Sequence, residues 1–273
     1  MEKLKNNHKL GIVLSVFGIL TGLLALLILA EIYYPNILGK LEGARPDEAI
    51  TVRIVFALLA WLGASAGALW VTVLYGFINK SRWAWFYGLL AATVQILSGF
   101  FPMIPAASIG LPTPTVWVLA LGFLLWFGML LIRGVDFKIM VLLFVSGMAY
   151  VLTFIDGVGA ISRYQTEPVG FVHGMYGVSQ MVNWWGAAAW VVFILALAKQ
   201  KSWALPAGIF AASMSIFGGY PVGLTDVITV KQGSFSMFLV APILSTILLI
   251  YFLLPGTTKM INSWITENNP DEI

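Results

Sequence analysis

The chain has no cysteine, two histidines and little charge, and each shortage closes off a class of chemistry. Without cysteine there is no disulfide, iron–sulfur cluster, thiolate zinc site or S-acyl anchor. The histidines are His8 and His173. His8 lies in the charged N-terminal segment, so a bis-histidine haem between facing membrane helices lacks its second ligand. Charged residues make up 10% of the 273, against about 25% in ordinary soluble domains. The net charge of +3 is spread in ones and twos and makes no basic patch, which excludes a nucleic-acid partner. No P-loop, dinucleotide fingerprint, HExxH or GxSxG occurs. No cofactor is therefore expected, and a non-enzymatic role is favoured. A membrane enzyme acting on a lipid would have only Asp156, Glu31 or His173 as isolated acid–base groups.

What the chain has is apolar length. Hydrophobic residues are 60% of the total and the mean hydropathy is +0.92. About 20 apolar residues cross a hydrocarbon core roughly 30 Å thick. Runs of that kind recur at Leu10–Ala30, Ile54–Asn79, and twice within the charge-free stretch Trp83–Ile132, whose middle is broken by Pro102, Pro105, Pro112 and Pro114. Others lie near Ile139–Phe154, Tyr176–Leu197, Trp203–Tyr220 and Phe235–Leu254. The pattern predicts an all-α, polytopic membrane protein with eight transmembrane helices. The first run is read as a true span, since it is too long for a signal-peptide core.

Lysine and arginine resist translocation and so set orientation. With the N-terminus inside, Lys3, Lys5, Lys9, Lys80, Arg82, Arg133, Lys138, Lys199, Lys201 and Lys259 fall in cytoplasmic segments. Lys40, Arg45, Arg53, Arg163 and Lys231 fall outside, and every short turn on the inner side is then basic. The expected location is the plasma membrane, with both termini cytoplasmic.

The chain also echoes itself. Trp83–Gly99 laid on Trp203–Gly219 at an offset of 120 gives 7 identities in 17 positions, among them both Trp-Ala starts, Gly88 with Gly208, and Gly99 with Gly219. Weaker echoes join Trp61-Leu62-Gly63-Ala64 to Trp184-Trp185-Gly186-Ala187, and Lys9 with Gly18 to Lys138 with Gly147. The fourth and eighth spans show no such echo. These matches predict a parallel 4+4 internal duplication: residues 1–134, then 135–258, then a polar cytoplasmic tail at 259–273. Gly18 and Gly22, and Gly63 and Gly67, have the four-residue spacing that lets helix backbones approach closely.

Few polar groups enter the spans. Gln95, Ser98, Asn183 and Gln180 fall in outer halves, with Asp156 and Glu31 at outer span ends. A charged group at the bilayer centre costs at least about 2.5–3.5 kcal/mol, so Asp156 or Glu31 inside would call for water or a partner such as Arg163, Arg53 or His173. Gln95, Ser98, Asp156, Asn183, Gln180, His173 and Glu31 together are the expected ligand-binding set, lining a vestibule open to the outside. Three outer segments read as unusually apolar loops: Pro102–Thr115, Val169–Gly177 and Tyr220–Thr229. They are expected either to fold onto the helix ends as a lid or to meet another protein. Two functions follow. One is binding or transport of a small, weakly polar molecule. The other is an accessory or structural subunit of a larger membrane complex. The expected partners are the lipid bilayer and either a small-molecule ligand or a membrane protein, a second copy included.

Overall fold

The computed structural model describes residues 6–43, 46–167 and 169–266. Lys3, Lys5, Arg45 and the tail beyond 266 lie outside the described residues. All regular elements among the described residues are helical, and the chain divides into two compact units, Met1–Val135 and Asp136–Ile273. The first holds α1 (His8–Leu41), α2 (Glu48–Ile78), α3 (Ala84–Phe100), the short α4 (Met103–Ala107) and α5 (Val116–Arg133). The second holds α6 (Phe137–Thr166), α7 (Phe171–Ala198), α8 (Ala204–Thr229), α9 (Val240–Leu253) and α10 (Pro255–Thr266). Among the described residues, seven helices are long and apolar enough to cross a membrane. The number is eight if Met237–Leu253 and Pro255–Thr266, bent by 77° to each other, form one span. This architecture fits an integral membrane protein.

Each unit opens with a capped helix. Asn7 Oδ1 accepts from Leu10 N at 3.0 Å before α1, and Asp136 Oδ1 accepts from Lys138 N at 2.9 Å before α6, so a side chain takes up an amide that the first turn leaves unpaired. Glycine closes α5, where Gly134 adopts φ 74° and frees the chain from the steric penalty a Cβ would bring. In each unit the basic turns gather at one end, called here the basic end, and the other is the far end.

The helices overrun the apolar stretches. α1 has 34 residues, about 51 Å at 1.5 Å per residue, and it continues through Glu31 and Pro35 where an end at Ala30 is expected. Hydropathy marks the lipid-buried part of a helix and not its terminus. Pro35 and Pro221 both sit inside helices. Proline is tolerated in helices of this kind because neighbouring groups take up the backbone positions it frees. Two of the three predicted loops are therefore corrected. Val169–Gly177 lies mostly in the first turns of α7, and Tyr220–Thr229 forms the last turns of α8; their Gly, Pro and aromatic residues disguise helix as loop. Pro102–Thr115 does fold down onto a helix end. Lys40 Nζ donates to Ser108 Oγ at 3.0 Å, and a Cβ on Gly39 would meet Ile109 Cδ1 at 2.7 Å. The polar tail expected at 259–273 is helical as far as it is described: α10 runs to Thr266 and buries Ile261, Trp264 and Ile265.

The units are built inside out relative to a soluble protein. Large apolar residues such as Leu27, Trp61, Trp185 and Phe217 are exposed, while Gln95, Ser98, Asn183 and Ser215 are buried. Small residues allow the interior contacts. A Cβ on Gly22 would lie 2.4 Å from Gly67 Cα, so α1 and α2 touch backbone to backbone, a geometry only glycine permits. In the second unit Gly208 admits the rings of Phe193 and Phe252.

Candidate functional site

The interior of the second unit is a polar column built from helical spacing. On α7, Tyr176, Ser179, Asn183, Gly186 and Trp190 recur at alternating steps of three and four, and all are buried. The same rhythm on α6 buries Ser146, Ala149, Thr153, Asp156, Ala160 and Arg163. On α8 it buries Gly208, Ala211, Ser215, Gly218 and Val222, and a further step of four buries Asp226. Residues so spaced share one helix face, and the three faces meet in layers.

Nearest the basic end, Trp190 Nε1 donates to Ser215 Oγ at 2.9 Å, and that hydroxyl is 2.9 Å from Thr153 Oγ1. Gly186 sits in this layer, since its Cβ would meet Thr153 Cγ2 at 3.2 Å and Ser215 N at 3.3 Å. One turn farther on, Asp156 follows Thr153 and Asn183 precedes Gly186, so the two lie at one level, beside Gly218. Asn183 is 0% and Asp156 3% exposed. Among the described residues, neither Oδ1 nor Nδ2 of Asn183 has a hydrogen-bond partner, nor has Asp156 Oδ2 or Trp184 Nε1. Trp184 belongs to the same neighbourhood, because its Nε1 lies 2.5 Å from where Gly157 would carry a Cβ. Above this layer Ala160, Tyr176 and Val222 form an apolar cluster, packed by Val172 and Phe238. At the far end Arg163 Nε donates to Asp226 Oδ1 at 2.8 Å, and Ser236 Oγ donates to Asp226 Oδ2 at 2.7 Å.

Each unpaired buried polar group costs about 1–3 kcal/mol. Asn183, Asp156 and Trp184 carry such atoms near one level of the unit, an amide, a carboxylate oxygen and an indole N–H, next to the satisfied Trp190–Ser215–Thr153 layer. Chemically this set suits a small molecule carrying both donors and acceptors.

The other expected site residues are placed differently. Gln95 is committed inside the first unit: Oε1 accepts from Trp70 Nε1 and Nε2 donates to Gly18 O, both at 2.8 Å. Ser98 Oγ donates to Leu59 O at 2.9 Å. Glu31 is exposed on α1. Gln180 is half-buried and its Nε2 faces Met181 Sδ at 3.9 Å. His173 Nδ1 is 3.2 Å from Glu167 O, and its ring lies 3.8 Å from that of Tyr164. Arg163, expected as a partner for Asp156 or Glu31, instead pairs with Asp226. Sequence reading missed Trp184, Thr153 and the Arg163–Asp226–Ser236 group. The three-and-four rhythm of α6 and α7 was the signal that could have grouped Thr153 with Asp156.

The two units repeat the same side-chain roles. Trp190 stands 120 positions after Trp70, and its partner Ser215 stands 120 after Gln95. The basic turns match bond for bond. Ser81 N donates to Gly76 O at 2.8 Å and Lys201 N to Ala196 O at 2.9 Å, around Lys80 at φ 54° and Gln200 at φ 59°. Gly63 faces Ser98, whereas at the matching positions Asn183 faces Gly218. Gly88 faces Met129 as Gly208 faces Phe252, and Gly99 faces Leu119 as Gly219 faces Pro242. The last two pairs share an offset of 123 between α5 and α9, where the sequence shows no echo. The Trp70–Trp190 register also differs by three from the one suggested by Trp61-Leu62-Gly63-Ala64, because the tryptophan's role rather than its nearest lookalike sets it.

No protein-family model, curated protein or solved structure matches this chain.

Proposed function

We propose that this integral membrane protein binds or transports a small, weakly polar molecule in the core of its second unit, at Asn183, Asp156 and Trp184. One observation supports the reading: Asn183, fully buried, leaves both ends of its amide unpaired, and Asp156 Oδ2, near the same level by helical spacing, is unpaired too. A ligand that pairs them recovers the cost of burying them. With the basic ends cytoplasmic by the distribution of Lys and Arg, the site lies in the outer half of the bilayer. Asp156 is about 27 Å along the helix from Lys138 at 1.5 Å per residue. The Tyr176 cluster and the Arg163–Asp226 pair then stand between the site and the outside. We read the matched side-chain roles as a parallel 4+4 duplication, in which the first unit is scaffold and the second carries the site.

A second reading, an accessory subunit, draws on the far end of the second unit, where Val169 is 93%, Phe171 80% and Met237 71% exposed. Native mass spectrometry of the purified full chain separates the two. A retained small molecule that is lost in Asn183→Leu and in Asp156→Asn, with folding intact, is the expected result. Retention unchanged in both variants, or a stoichiometric protein partner in place of a small molecule, overturns the binding proposal.

A further inference from the structure

The elbow between α9 and α10 has chemistry of its own, independent of the site at Asn183. Proline disfavours helical backbone in the residue before it, and Leu254 accordingly adopts φ −73°, ψ 133°. Pro255 then opens a new helix, a position proline suits because its missing N–H is unpaired there anyway. The result is a bend of 77°. α9 thus ends at the basic end of its unit and α10 runs across that end. Its inner face is fixed by two bonds: Trp264 Nε1 donates to Leu197 O, and Gln200 Nε2 donates to Trp264 O, both at 2.9 Å. A helix turned out of a span, with one face docked and a polar face open, lies in the plane of the membrane interface.

Along the bend runs a shallow, open groove of about 590 Å³ lined by Leu253, Pro255, Thr258, Lys259, Asn262 and Ser263, with Thr266 at its end. One wall is the lipid-facing end of α9, where Ile250, Leu253 and Leu254 are exposed. The other is the polar face of α10, where the exposed Lys259 and Asn262 line the groove. Residues 251–266 contain no acid, and among the described residues Lys259 has no carboxylate partner. An apolar wall continuous with lipid, next to an ammonium and an amide at headgroup depth, matches one molecule better than any other: a phospholipid whose chains follow α9 and whose phosphate meets Lys259 and Asn262.

We propose that this groove binds the headgroup of an anionic phospholipid. A lysine near an anionic surface contributes enough attraction for about a fivefold change in lipid occupancy. The test uses the full chain in nanodiscs of phosphatidylcholine with and without phosphatidylglycerol, read by native mass spectrometry of retained lipid. Phosphatidylglycerol is expected to be retained over phosphatidylcholine, to fall about fivefold in Lys259→Gln, and to fall further when Asn262→Leu is added. Lys80→Gln, at an exposed basic turn of the first unit, is the control and leaves retention unchanged. Four results overturn the proposal: equal retention of the two lipids, no change in Lys259→Gln, an equal fall in Lys80→Gln, or displacement by millimolar inorganic phosphate, which marks a site for a free anion. None of these outcomes bears on the small molecule held at Asn183.

Discussion

The pairing of Gly63 with Ser98 in one unit and Asn183 with Gly218 in the other invites an exchange. In the first unit a Cβ on Gly63 would lie 2.8 Å from Ser98 Oγ, and that hydroxyl donates to Leu59 O. In the second unit a Cβ on Gly218 would lie 2.6 Å from Asn183 Oδ1 and 3.0 Å from Asn183 N. Gly218→Ser alone therefore drives an atom into the asparagine, an overpacking cost of about 1–3 kcal/mol. Asn183→Gly alone removes an unpaired amide, which is worth about 1–3 kcal/mol in its favour. It also places glycine inside a helix, at about 0.5–1 kcal/mol against. Together the two changes reproduce the first unit's arrangement. The clash is gone, and the new hydroxyl faces the backbone carbonyl of Ser179, which stands where Leu59 stands. The double variant is expected to be about 1–2 kcal/mol more stable than the sum of the single changes, a coupling within the range measured for residues in contact. Denaturant unfolding in detergent, followed by tryptophan fluorescence over the four-variant cycle, measures it. Single effects that add to within about 0.5 kcal/mol would refute the claim that the two helix pairs share one geometry.

Gln95→Leu strands Trp70 Nε1, which is fully buried, and should destabilise the protein by about 1–2 kcal/mol while leaving retention of a small molecule unchanged; the unfolding midpoint and native mass spectrometry check the two halves of that statement. Asp226→Ala leaves the Arg163 guanidinium, whose side chain is 9% exposed, without its carboxylate, and should cost about 3–5 kcal/mol. Asp226→Asn keeps an acceptor for Ser236 and should cost less; equal unfolding midpoints for the two variants would count against the ion pair as the source.

What the sequence made legible follows from what is local. Apolar runs and basic turns are visible residue by residue, and each apolar run falls largely within a helix, though most of those helices extend beyond it. The caps at Asn7 and Asp136 are legible in hindsight, since each precedes the first turn directly. The far end was not legible. Arg163 meets Asp226 across 63 positions, and Lys40 meets Ser108 across 68, contacts that depend on helices longer than their apolar stretches. Arg163 was expected to partner Asp156 or Glu31 as one of the cations in the outside segments, but it reaches across to Asp226 on α8. Gln95 looked like a site residue because it is polar at depth; its partners, an indole N–H and a helix carbonyl, were invisible without knowing which helix lies beside it.

The asymmetry between the units can be argued from side-chain length. Gln95 is long enough to span from Trp70 to the backbone of α1, so the first unit satisfies its deepest polar group with one residue. Ser215, at the matching position, is too short to do so, and Thr153 supplies a hydroxyl instead. The next layer diverges in the opposite sense. A serine that finds a carbonyl occupies it in the first unit, and an asparagine that finds nothing occupies it in the second. On the proposed duplication, one half kept the arrangement that stabilises the fold and the other kept an amide that opposes it. The signs of two substitutions should then differ. Gln95→Leu lowers stability because it removes bonds. Asn183→Leu leaves stability unchanged or raises it by up to about 1–3 kcal/mol, because it removes a buried group with no bonds to lose. A loss of stability in Asn183→Leu as large as that in Gln95→Leu would mean the amide serves the fold, and the case for a ligand at that layer would fall with it.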